Sequence, residues 1–225
     1  MLASGDHFSL IEASNQIFGS KMMTHSLHRS GKFQEMDYVW LLYHVKGIND
    51  HNLVERLRKA ISIAEEVGAV NWGDVKSGPI VNIPSDEIKR KLTEKSRIRG
   101  VFTSREQVIA FLKKMKEADL GLCVIVAGLL DQVFLACQEA GLKPHTVNYS
   151  IGVFGKKELL AKDETLCITS MCGHHMIPDG LVTEMRERVR KGKTTPEKAA
   201  LKLAAFCPCG IFNQKRAEEL MKLEK

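Results

Sequence analysis

Two apolar runs constrain this chain more than any other feature. Residues 38–46 (YVWLLYHVK) and 120–127 (LGLCVIVA) are rich in β-branched or aromatic residues and nearly continuous in apolar character. Strands of that composition are buried on both faces. Each run leads into a G-x-x-D turn, Gly47 to Asp50 and Gly128 to Asp131, and then into a helical segment. Leu53, Leu57, Ile61 and Ala64 recur at helical spacing in the first segment, and Gly68 ends it. The second segment runs to Gly141. Further short strands are expected in AVNWGDV (69–75), GPIVNIP (78–84), HTVNYSIGVFG (145–155) and ETLCITS (164–170). Residues 86–99 (DEIKRKLTEKSRIR) are expected as an exposed helix leading into a loop, and Ser104 with Gln107 as a capping box for the helix that follows.

Strand, helix and strand therefore occur twice, as a weak internal duplication. The expected fold is α/β (or α+β), with two β-α-β units in a layered sheet covered by helices. A partly parallel sheet and a split, ferredoxin-like arrangement satisfy the pattern equally. Three segments are expected: residues 1–35 as an N-terminal helix and loop, 36–160 as the α/β domain, and 161–225 as a C-terminal helical module. The first contains an expected short helix within residues 8–18 and the pair His25 and His28, which lacks a third ligand nearby.

The C-terminal module carries the chemistry. Residues 170–180 read SMCGHHMIPDG and residues 205–214 read AFCPCGIFNQ. Between them lie two helical stretches of similar length, joined by a tight KGKT turn. Thr194, Pro196 and Glu197 mark the start of the second, and Asn213 caps a last helix. A hairpin of that kind returns the chain to its starting point, so the Cys172 loop and the Cys207-Pro208-Cys209 loop should meet. The set Cys172, His174, Cys207 and Cys209 is the candidate metal site, with His175 as the candidate general acid or base. The adjacent Gly173 and Gly210 would let backbone amides approach the sulfurs.

Two metals suit these donors. Cys207-x-Cys209 is one residue tighter than the usual zinc knuckle, whereas an iron–sulfur cluster of the 4Fe–4S type can take neighbouring thiolates on separate irons, with Cys167, His174 or nothing on the fourth. An iron–sulfur cluster is the favoured cofactor and zinc the alternative; a dithiol pair or thiols packed in turns is the third reading. Cys123 and Cys137 sit in apolar surroundings and read as small buried hydrophobes. Asp50 and Asp131, at the carboxyl ends of the two strong strands, are candidate cofactor-binding residues, and they are equally good helix caps. No dinucleotide or Walker fingerprint is present.

The chain has 225 residues, 33 basic and 27 acidic, for a net charge of +6. That mild excess argues against nucleic acid as the principal partner. No apolar stretch is long enough to span a bilayer, and the N-terminus lacks a basic start followed by an apolar run, so a cytoplasmic chain with reduced thiols is expected. The function expected is an iron–sulfur-dependent enzyme or redox component, acting on a small-molecule substrate or a redox partner protein and compatible with a homo-oligomer. The alternatives are a zinc-stabilised binding or assembly module, and a small-ligand regulator without metal.

Overall fold

The computed structural model describes residues 29–148, 150 and 152–223. The helix expected within 8–18 and the His25/His28 pair lie outside the described residues. Five strands form one sheet: β1 (Tyr38–Tyr43), β2 (Asn71–Asp74), β3 (Gly78–Pro79), β4 (Ile98–Phe102) and β5 (Cys123–Ala127), in the order β3-β2-β4-β1-β5. Among the described residues the α-helices are α1 (Leu53–Glu66), α2 (Ser85–Lys91), α3 (Arg105–Ala118), α4 (Leu130–Glu139), α5 (Asp163–Thr169), α6 (Asp179–Arg190), α7 (Pro196–Ala204) and α8 (Gln214–Lys222). None of them is long and apolar enough to cross a membrane.

The fold is of the α+β kind, with every ladder antiparallel. This corrects the partly parallel sheet. β1 and β2, joined through α1, do run in the same direction, but β4 lies between them. β4 and β5, joined through α3, are separated by β1 in the same way. Both crossovers are split, each leaving a gap that an antiparallel strand fills. The second expected unit, 120–155, does not close, because the described part of 145–155 forms no strand. The end of the polar stretch 86–99 instead opens β4, and α2 covers only its start.

Residues 164–170 are a second correction. Their β-branched content suggested a strand, but they fall in α5. Asp163 and Glu164 sit in its first turn, where the helix dipole favours negative charge, and Thr165, Cys167, Ile168 and Thr169 are buried.

Alternate side chains of the sheet serve two cores. Tyr38, Trp40, Leu42, Trp72, Ile98 and Phe102 point toward α1 and α3. Val39, Val101 and Ala127 point the other way and share one buried cluster with α5–α8. Trp40 lies opposite Gly100, which in turn lies opposite Trp72. A Cβ on Gly100 would fall 2.4 Å from the Trp40 ring, so the glycine is what admits two indoles on one face. Trp40, Phe102 and Phe111 then pack with centroids 5.2–5.8 Å apart, each pair adding about 0.5–1.5 kcal/mol beyond its buried area. The capping box of Ser104 and Gln107 starts α3 as expected.

Candidate metal centre

The cysteine loops are residues 170–178, between α5 and α6, and 205–213, between α7 and α8. α6 and α7 form the expected hairpin. Its turn carries Gly192 at φ 67, and Thr195, one position beyond the residue expected, caps α7 by accepting from the Lys198 amide. Helices of 12 and 9 residues span roughly 18 and 14 Å, so they return the chain close to where it left.

The second loop docks on β2. Gly210, at φ 74, lies against the Trp72–Gly73 peptide, where a Cβ would meet the Trp72 carbonyl carbon at 2.2 Å. Asn71 Nδ2 donates to the Phe212 carbonyl at 3.0 Å, and Asn82 Nδ2 to that of Ala205 at 2.8 Å. Arg29 ties the two loops to each other: its Nη2 donates to the Met171 carbonyl at 2.7 Å and to the Ile211 carbonyl at 2.5 Å. Asp37 holds Arg29 in place and also accepts from Arg216 Nη1 at 2.7 Å and Asn213 Nδ2 at 3.0 Å.

Three thiols meet inside this frame. Cys207 Sγ lies 3.9 Å from Cys209 Sγ and is also hydrogen-bonded with the Cys172 thiol. Cys172 is 2% exposed, Cys207 and Cys209 0%. The hydrogen bond from Cys207 lowers Cys172 to about 6, against burial, with further help from the Met176 and His174 amides. The contact with Cys207 lowers Cys209 to about 5, again against burial, helped by the Ile211 amide and the positive field of Arg99. Cys207 is pushed up by both bonds and by burial, and keeps its proton. Of the three thiols Cys207 is therefore the last to lose its proton, and thiolates are the form that binds metal.

His174 Nδ1 lies 3.6 Å from Cys209 Sγ, and its Nε2 lies 3.3 Å from Arg99 Nη1. A guanidinium only donates, so Nε2 is the acceptor and the ring proton falls on Nδ1, facing the Cys209 sulfur. In this arrangement His174 is a hydrogen-bond donor to Cys209. His175 is placed differently: exposed, at φ 54, its amide donating to the Cys172 carbonyl at 2.9 Å. It closes the turn through its backbone. Cys167 is turned away, its thiol donating to the Glu164 carbonyl at 3.3 Å.

The contacts run in series, from Cys172 to Cys207, Cys209 and His174. Among the described residues no three or more His, Cys, Asp or Glu side chains form a group that could hold a metal ion.

Asp50 and Asp131 are not brought together. Tyr43 pairs with Cys123 and Val39 with Ala127, so the turns after β1 and β5 leave opposite ends of the sheet. Asp50 Oδ2 accepts from the Gly47 amide at 2.9 Å, a bond that holds its carboxyl below the ordinary value. Asp131 lies in the first turn of α4 and accepts from the Gln132 side chain at 2.9 Å. Neither is the N-cap of its helix; those positions are Asn52 and Leu129.

Arg29, Asp37, Arg99 and Arg216 were not singled out in the sequence. Only Arg99 left a trace there, as the polar member of RIRGVF, which alternates like a strand with one face buried. No protein-family model, curated protein or solved structure matches this chain.

Proposed function

We propose that Cys172, Cys207 and Cys209 bind a single metal ion of the zinc type, and that the ion fastens the two cysteine loops to each other at the open end of the helical hairpin. The protein is then a metal-stabilised binding or assembly module. The observation that carries this reading is the 3.9 Å separation of the Cys207 and Cys209 sulfurs in a fully buried site. Two thiolates on one tetrahedral ion, each about 2.3 Å from it, stand roughly 3.8 Å apart. Amide donors to Cys172 and Cys209 complete the sulfur environment. Loading releases the proton that Cys207 keeps. All three thiols are enclosed, and a closed structural site takes its fourth ligand from His174, whose Nδ1 stands 3.6 Å from the Cys209 sulfur and gives up its proton on loading.

An iron–sulfur cluster is the second reading. The same amide donors favour it, since such bonds tune cluster sulfurs. It asks the thiols to reach separate irons, and the 3.9 Å contact speaks for the single ion.

Anaerobic purification followed by elemental analysis separates the two. Colourless protein with stoichiometric zinc, lost in Cys207→Ser, is the expected result. Brown protein with iron and acid-labile sulfide would establish the cluster. Protein that folds normally with neither metal removes both readings.

A further inference from the structure

A cavity lined by none of the three thiols lies along the outer edge of β5, with a volume of about 740 Å³. That is the size of a small-molecule site. Its walls are α3, β5, α4 and the segment 142–148. Among the described residues β5 pairs with β1 alone, and its other edge borders this space. Among the described residues the lining is aliphatic for most of its length, with Phe134 its one aromatic side chain.

Polarity is concentrated at one end. Lys116 and Asp119 lie at the end of α3; Lys143 and His145 follow α4. Lys116 Nζ donates to the Gly141 carbonyl at 3.0 Å, which draws the two groups together. His145 Nε2 lies 3.9 Å from Cys123 Sγ, the first residue of β5, and its Nδ1 is 2.8 Å from Thr146 Oγ1. Two lysines and a histidine thus face one carboxylate at the Cys123 end. At the Ala127 end, roughly 13 Å away at about 3.3 Å per residue, the walls are Leu130, Val133 and Phe134. An apolar slot with a cationic mouth fits a molecule with an apolar tail and an anionic head.

We propose that this cavity binds an aliphatic carboxylate of the fatty-acid type. The tail lies along Val124 and Val126 toward Val133 and Phe134, and the carboxylate sits among Lys116, Lys143 and His145. The cavity uses none of the Cys172, Cys207 and Cys209 machinery, so it stands whether or not a metal is bound there.

The test uses the full chain and the fluorescent fatty acid cis-parinarate. Saturable binding is expected, displaced by dodecanoate and much less by dodecanol, which lacks the charge. Lys116 and Lys143 are exposed, so Lys116→Glu/Lys143→Glu should fold and bind about tenfold or more weakly, the size of a lost charge-assisted hydrogen bond. Val133→Trp, which fills the apolar end, should abolish binding. Bound dodecanoate should also slow alkylation of Cys123, mapped by mass spectrometry. Absence of saturable binding overturns the proposal. So does equal displacement by dodecanol with no effect of the charge reversal. Displacement by an extended apolar peptide but not by dodecanoate would assign the free edge of β5 to a sixth strand, and also overturns it.

Discussion

Arg216 reaches Asp37 across 179 positions of sequence and donates to it at 2.7 Å, both side chains buried. With Arg29 on the other carboxylate oxygen, the two guanidiniums bind the last helix, the 3-10 turn Gln34–Met36 and both cysteine loops into one group. Removing the carboxylate strands two buried cations. Asp37→Ala should therefore lose about 3–5 kcal/mol in urea titration, whereas removing the exposed Lys222 should leave the urea midpoint nearly unchanged.

The same carboxylate sets an acid limit. Burial alone would raise Asp37, but Arg29 and Arg216 outweigh it and hold the group below its ordinary 3.8. A pKa lower in the folded than in the unfolded chain adds stability that is complete above the unfolded value and lost as pH falls through the folded one. The urea midpoint of the wild type should thus drop below pH 3.8. Asp37→Asn, less stable at neutral pH, should lack that part of the slope. Parallel curves for the two proteins would show that Asp37 does not set the limit.

Two glycines with similar backbones should respond differently to alanine. Gly192, at φ 67, has nothing within 4 Å of its added Cβ, so Gly192→Ala should cost only the backbone strain, about 1–2 kcal/mol. Gly210, at φ 74, would drive its Cβ into the Trp72 peptide. Gly210→Ala should add overpacking of about 1–3 kcal/mol to the same strain and lift the Cys209 loop off β2. Thermal melts of the two variants compare them directly.

Thiol chemistry should divide the cysteines. Cys123 and Cys137 are partly accessible; Cys167, Cys172, Cys207 and Cys209 are buried. Ellman's reagent should modify the first two in the native protein and the other four only on unfolding. Rapid native modification of Cys207 or Cys209 would contradict the enclosure of the site.

Much of this was legible in residue order. The two long apolar runs became β1 and β5, and the hairpin between the cysteine loops followed from helix lengths, a glycine and a threonine cap. Where the sequence misled, local and long-range preferences disagreed. Residues 164–170 are β-branched enough for a strand, yet their acidic start and one buried face suit α5. Strand direction was hidden because burial on both faces reads alike in parallel and antiparallel sheets. Arg29, Asp37 and Arg216 look like ordinary solvated charges in sequence; only the fold brings them together. His174 and His175 could not be separated until Arg99 took the Nε2 of the first.

The two-sided sheet has a consequence in time. Its strands are all made by residue 127, but the cover for Val39, Val101 and Ala127 comes from residues 167–221. A chain leaving the ribosome N-terminus first carries that face open until α8 emerges. Asp37 is made early and meets Arg216 only once α8 has been made. Closing this core therefore waits on α8, which is its latch.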